Sequence, residues 1–284
     1  MTKLLPRLLL LATAASLAWT SSAQPVTVRG SETLVPLSRS WAGAFTAAHA
    51  GREVDPKGGG AAAAFVALAA RQTDLVLVSR SMRYKESQAC ETALGGKPAE
   101  FKLAVSGVAV YVHPANPLKE ITYDDLVSLY RGAARSWKQL GGEDRPVLLL
   151  GQETNSAAGE LFIEEVLNGK PAAESVRFLP AAEVLKEVAR SPDAIAFAAW
   201  QPADGVRPLA IKRAYSSTPV LPSAADIANR IYPISRFLFV YAAPGARPDR
   251  VTTYLDWLRG ATAGQLAEKS GFFALPEKWR AEAP

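Results

Sequence analysis

Short apolar strands and amphipathic helices alternate along the sequence, and that order leaves few folds open. A strand at 25–29 precedes a helix in which Leu37, Trp41 and Phe45 fall at helical spacing. Further strands are predicted at 52–55, 74–78, 147–150, 194–200 and 237–241, a strand pair within 101–113, and helices at 61–71, 123–130, 157–168 and near the C-terminus. Alternation with short connections predicts an α/β fold with largely parallel sheets covered on both faces. Two α/β lobes joined by chain crossings fit the length of 284 residues.

The first 23 residues have the layout of a secretory signal peptide. Two basic residues precede an apolar run at 8–19, and Ser21-Ser22-Ala23 closes the segment. The alternative is a membrane anchor, but this run is shorter than the roughly 20 residues that span a bilayer. We predict cleavage after Ala23. A single cysteine in an exported chain fits the periplasm better than a disulfide-rich extracellular medium.

Composition excludes several classes of protein. Cys90 has no partner for a disulfide, and two histidines, His49 and His113, cannot form a multi-histidine zinc site. We therefore expect no cofactor and no metal. The net charge is +5, but the basic residues are spread along the chain without a Lys/Arg block. Nucleic acid is therefore not an expected partner.

Catalytic motifs are weak. Ser106 and His113 could be read as a nucleophile and a base, but the G-x-S-x-G pattern is missing, so a structural histidine is the better interpretation. The segment 95–98 lacks the first glycine and the hydroxyl residue of a phosphate-binding P-loop. Adjacent carboxylates such as Glu164-Glu165 point to different parts of a helix surface. We predict that the protein is not an enzyme.

Three predicted strands end in the same kind of loop before a helix. These loops contain Gly30-Ser31-Glu32-Thr33, Gly58-Gly59-Gly60 and Thr154-Asn155-Ser156. In such sheets ligands bind at the carboxyl ends of strands, where helix N-termini offer unpaired N–H groups to an anion. The same residue types begin most helices as ordinary caps, so each loop alone is a weak indication of a ligand. Together they predict one anion site.

Taken together, these segments resemble the phosphate-binding subunit (PstS type) of bacterial phosphate ABC transporters, a periplasmic solute-binding family with the type II periplasmic-binding-protein fold. Residues 30–37 look like its first phosphate loop, 57–64 like its second, and 74–80 like its strand ending in Ser-Arg. The most specific stretch is 108–142, which matches the family's hinge strand, Asn-Pro turn, short helix, Gly and Trp in order.

The resemblance implies two lobes, each a mostly parallel sheet flanked by helices, with chain crossings near 105–111 and 234–238. Lobe 1 would comprise 24–107 plus 238–284, and lobe 2 would comprise 108–237. The lobes would close over a dehydrated phosphate.

The resemblance also implies the residues of the site. The hydroxyl of Thr33 and the backbone N–H of Leu34 would donate from lobe 1, with Arg80 supplying charge and paired donors. Ser156 would donate from the helix of lobe 2. The full predicted set is Ser31, Thr33, Leu34, Gly59, Gly60, Ser79, Arg80, Gln152, Asn155 and Ser156.

Three positions depart from the family pattern. Ala61 and Ala158 stand where the family has hydroxyl donors, and Gln152 stands where it has an arginine. Two functions are therefore open. In the first, a monomer captures phosphate or a related tetrahedral oxyanion for an ABC permease in the inner membrane. In the second, the chain is a periplasmic accessory or sensor module of the same fold with weak or no phosphate binding.

Overall fold

The computed structural model describes residues 24–214 and 217–280, so the predicted signal peptide lies outside the described residues. The strands are β1 (Val26–Gly30), β2 (Val54–Lys57), β3 (Leu75–Val78), β4 (Ala99–Val112), β5 (Glu120–Thr122), β6 (Leu148–Gln152), β7 (Arg177–Leu179), β8 (Ala194–Ala199), β9 (Arg207–Pro208), β10 (Ala210–Lys212), β11 (Ser235–Ala242) and β12 (Phe273–Ala274). The α-helices are α1 (Val35–Ala48), α2 (Ala61–Ala69), α3 (Tyr84–Leu94), α4 (Tyr123–Tyr130), α5 (Ala157–Glu165), α6 (Ala181–Arg190), α7 (Ala224–Ala228), α8 (Asp249–Leu258), α9 (Ala261–Lys269) and α10 (Glu277–Arg280). Short 3₁₀ helices occupy Glu32–Leu34 and Trp137–Leu140.

Most of the strands form a curled mixed sheet in the order β2-β1-β3-β11-β4-β8-β6-β7, with β9 and β12 also paired to β4, while β5 and β10 pair in parallel as a separate sheet. The outer strands on each side, β2-β1-β3 and β8-β6-β7, pair in parallel. The central strands β11 and β4 run antiparallel to their neighbours in this order. The predicted two-lobe α/β fold is thus confirmed: lobe 1 carries β1–β3 and lobe 2 carries β6–β8.

The predicted strand pair within 101–113 is wrong, because β4 is one continuous strand of 14 residues. Residues 99–107 pair with β11, and residues 108–112 pair with β8. The Ser106-Gly107 sequence favours a turn, but the backbone stays extended because both residues pair with β11. The single strand β4 therefore pairs with strands of both lobes.

The helices cover the sheet by burying their apolar faces. In α1 the buried residues include Leu37, Trp41 and Phe45, as their spacing predicts, and the Trp41 indole N–H donates to the carbonyl of Ala263 at 2.8 Å. The helices that were not predicted from the sequence include α3, which buries Cys90, and α6. None of the helices in the described ranges is long and apolar enough to cross a membrane.

Candidate functional site

The carboxyl ends of β1, β2 and β3 lie side by side because these three strands are parallel. This arrangement brings the loops at residues 30–33, 58–60 and 79–80 to the same edge of lobe 1. Gly30 permits the close approach of β1 to β3, since a Cβ atom there would lie 1.7 Å from the carbonyl oxygen of Leu77. The first two predicted loops and the Ser79-Arg80 segment therefore meet in space.

The hydroxyls of two predicted site residues of lobe 1 converge on a carboxylate from lobe 2. The Thr33 hydroxyl donates to Glu160 Oε2 at 2.5 Å, and the Ser79 hydroxyl donates to Glu160 Oε1 at 2.7 Å. Glu160 lies in the first turn of α5. A carboxylate thus occupies the point at which these hydroxyls meet.

A buried arginine on the crossing strand β11 supplies positive charge at the same point. Arg236 is 3% exposed, and one of its terminal nitrogens lies 2.9 Å from Ser79 Oγ and 3.2 Å from Glu160 Oε1. The other pairs with Glu164 Oε2 at 2.7 Å. Its Nε has no hydrogen-bond partner within the described part of the chain. Such a residue can hold an anion by a charged, directional fork.

The predictions from sequence missed Arg236 and Glu160. Arg236 comes directly before the apolar run Phe237–Tyr241 of a predicted strand. An arginine at such a position can be recognised in the sequence as a candidate for a charged site, because arginine is almost never buried unless it is paired. Glu160 gives no such signal, since an acidic residue in the first turn of a helix is commonplace.

Arg80, the predicted source of charge, lies in the wall of the cleft with its paired donors directed elsewhere. Its two terminal nitrogens donate to Glu86 Oε2 and Oε1 at 2.8 and 2.7 Å. The hydrogen bond to Glu86 raises the pKa of the Arg80 guanidinium, against the opposing effect of burial. Burial would raise the pKa of Glu86, but hydrogen bonds from Arg80 and from the Arg83 backbone outweigh it and lower that pKa. The Arg80–Glu86 pair is therefore neutral as a unit.

The glycine loop also meets a carboxylate. Gly59 and Gly60 adopt φ angles of +112° and +88°, which glycine tolerates and other residues rarely adopt. The backbone N–H of Gly59 donates to Glu32 Oε2 at 2.9 Å, and that of Gly60 donates to the carbonyl of Gly30 at 3.0 Å. The loop holds its predicted place beside the first loop.

The remaining predicted residues make mainly local contacts. Ser31 is buried and its carbonyl accepts from the Leu34 N–H at 3.1 Å, so that N–H closes a turn. Ser156 caps α5 by accepting from the Gly159 N–H at 3.0 Å.

Near that cap, Gln152 is buried and accepts from the backbone N–H of Ala199 at 3.1 Å. Asn155 is exposed in the loop before α5.

A cleft of about 560 Å³ opens at this point between the lobes. Its walls include Ser31, Gly59, Gly60 and Arg80 of the predicted set, together with Glu160 and Glu164 of α5.

No group of three His, Cys, Asp or Glu side chains that could hold a metal ion occurs among the described residues. Hydroxyls, a guanidinium and glycine N–H groups in a partly desolvated cleft are chemically suited to an oxyanion.

Known proteins share this fold. The chain is 28% identical over 266 residues to the phosphate-binding protein PstS of Pseudomonas aeruginosa, covering 88% of this chain and 82% of that protein. Among solved structures, a possible phosphate binding protein from Planctomyces limnophilus superposes with a TM-score of 0.80 at 24% identity, covering 92% and 96% of the two chains. An ABC-type phosphate transport receptor from Vibrio cholerae gives a TM-score of 0.73 at 22% identity, covering 88% and 100%. The model of the PBP superfamily domain matches residues 15–261, and the chain belongs to that family.

Proposed function

We propose that this protein is a periplasmic solute-binding protein that captures phosphate, or a related tetrahedral oxyanion, between its two lobes for an ABC transporter. It binds without chemistry, acts as a monomer and delivers the anion to a permease in the inner membrane. Lobe 1 comprises 24–107 and 238–284, and lobe 2 comprises 108–237.

The convergence of Thr33, Ser79 and Arg236 on one point of the cleft carries this proposal. Two hydroxyls and a buried guanidinium lie within hydrogen-bond distance of the oxygens of a single anionic group. Charge-assisted hydrogen bonds of this kind make a net contribution of about 1.5–3 kcal/mol each. The relatives named for phosphate binding support phosphate as the first ligand to test. No observation favours the accessory or sensor module.

Calorimetric titration of the protein, freed of carried-over anions, tests the proposal. Phosphate, arsenate, sulfate and tungstate are titrated separately, and we expect micromolar or tighter phosphate binding. Thr33→Val removes one converging hydroxyl at nearly constant volume and is expected to weaken phosphate binding about tenfold. Thr252→Val, at an exposed position of α8, is the matched control. Absence of heat with all four anions would overturn the proposed function.

A further inference from the structure

The carboxylate of Glu160 takes the place that an oxyanion needs. We propose that Glu160 is an internal latch: it occupies the anion position, ties lobe 2 to lobe 1, and must be displaced by an incoming oxyanion. The displacement half of this inference rests on the proposed function. The latch itself rests on the contacts of Glu160 alone.

The contacts of Glu160 cross the cleft. Its two carboxylate oxygens accept from Thr33 and Ser79 of lobe 1, at 2.5 and 2.7 Å, while its backbone belongs to α5 of lobe 2. Arg236, on the crossing strand, completes the set at 3.2 Å. At the start of the same helix, Ala157 packs against the apolar core of lobe 1. Two hydrogen bonds to the carboxylate and an apolar contact thus hold the lobes together through α5, and the pair with Arg236 fixes the carboxylate in place.

The charges around the cleft are already balanced by carboxylates of the chain. Arg236 is paired with both Glu160 and Glu164, Arg80 is paired with Glu86, and the Gly59 N–H is taken by Glu32. An oxyanion that reached Arg236 beside an ionised Glu160 would place two like charges in a partly desolvated site. Such an arrangement is electrostatically unfavourable. The Glu160 oxygens also occupy the point between Thr33, Ser79 and Arg236 that the anion needs, so the Glu160 carboxylate must leave that position.

The side chain of Glu160 can leave the anion position by rotating towards solvent. Its side chain is 23% exposed at the edge of the cleft, whereas that of Arg236 is 4% exposed. Rotation of the glutamate would return its charge to water while the arginine stays in place. The latch therefore weakens anion binding, because each binding event must break the contacts of Glu160. It also keeps the cleft closed when the concentration of anion is low.

The experiment compares Glu160→Gln and Glu160→Ala with Glu164→Gln, all expressed from the full sequence and freed of anions. Glu164 lies one turn further along α5 and pairs with Arg236, but within the described part of the chain its carboxylate accepts no hydrogen bond from Thr33 or Ser79. It therefore controls for the loss of a negative charge without the loss of the latch. The radius of gyration from small-angle scattering reports closure, and calorimetry reports phosphate binding.

We expect Glu160→Ala to be more expanded than the wild type without anion, and Glu164→Gln to keep the wild-type dimensions. Phosphate affinity should rise about tenfold or more in Glu160→Gln, and by a smaller factor in Glu164→Gln. Equal dimensions of Glu160→Ala and wild type would overturn the latch. A fall in phosphate affinity in Glu160→Gln would overturn displacement, since it would mean that Glu160 helps to hold the anion. If Glu160→Ala expands and neither it nor the wild type binds any oxyanion, the latch stands and the proposed function fails.

Discussion

At the scale of single residues, the site depends on which arginine meets the anion. Arg80 and Arg236 both reach the cleft region, but Arg80 is engaged by Glu86 through two hydrogen bonds. Arg236 is almost fully buried and faces the converging hydroxyls. Burial makes its charge more effective, because fewer water molecules screen it. We therefore assign the principal charge of the proposed anion site to Arg236.

Arg236→Lys should weaken phosphate binding about tenfold or more, because lysine keeps the charge but loses the two-pronged set of donors. Arg83→Lys is the control, since Arg83 is exposed on the wall of the same cleft and should change the Kd little. The measurement is calorimetric titration with phosphate. Unchanged binding in Arg236→Lys together with a large loss in Arg80→Lys would return the role to Arg80.

The Arg80–Glu86 pair predicts a pH dependence of stability. The pKa of Glu86 is lowered in the folded state, so its contribution is present above the unfolded-state value of about 4.3 and is lost as pH falls through the lower folded value. At pH 7, Glu86→Gln should reduce the free energy of unfolding by about 1–3 kcal/mol. The difference from wild type should shrink as the pH falls below about 4.

Urea unfolding from pH 7 to pH 3 measures this difference. The control is Glu183→Gln, whose ion pair with Lys186 is exposed on both sides and should contribute little. A difference between Glu86→Gln and wild type that stays constant over the whole range would contradict the assigned linkage.

At the scale of elements, the sequence was most informative where apolar residues repeat with a regular period, although α6, which buries Val184, Leu185 and Val188 at helical spacing, was not predicted. The predicted helix at 123–130 is α4 residue for residue, the strands at 74–78 and 194–200 differ from β3 and β8 by one residue at one end, and the strand at 25–29 is shifted by one residue from β1. The helix α3 was not predicted because its sequence is mostly polar and the helix buries chiefly Cys90 and Leu94. A weak apolar face leaves little period to detect.

Gly30→Ala tests the contact between β1 and β3 that positions the first loop. The added Cβ would overlap the backbone of Leu77, which cannot move without separating the strands, so we expect a loss of about 2–3 kcal/mol in the free energy of unfolding. Gly43→Ala is the matched control: a Cβ at this exposed position in α1 meets no atom within 4 Å. It should stabilise the protein by about 0.5–1 kcal/mol through helix propensity. Urea unfolding measures both, and equal stability of the two variants would contradict the argument.

At the scale of the whole molecule, two strands carry the chain between lobes with separate apolar cores. β4 contributes its first part to the sheet of lobe 1 and its last part to that of lobe 2, and β11 pairs with β4 along the first part. One core is built around β1, β3 and α1, and another around β8, α4 and α5. Motion between the lobes can therefore be concentrated at the crossings and leave both cores intact.

Ligand binding across the two lobes should stabilise the whole molecule. At a phosphate concentration about 100 times the Kd, linkage adds about 2.7 kcal/mol to the free energy of unfolding. For a protein of this size we expect the Tm to rise by about 5 °C or more. Differential scanning calorimetry with chloride at matched ionic strength is the control for general salt effects. Equal shifts in phosphate and chloride would contradict specific binding.

The composition and the period of apolar residues were enough to predict an α/β fold of two lobes, and the loops after β1, β2 and β6 predicted where an anion would bind. These are local properties, because hydrophobic period and loop residue types act over a few neighbouring positions. The pairing of charges was decided by the tertiary structure. Thr33, Glu160 and Arg236 are separated by more than 70 residues along the chain and meet only when α5 packs across the cleft beside β11. Which carboxylate neutralises which arginine depends on distances of a few ångströms between remote segments, and no local pattern in the sequence encodes those distances.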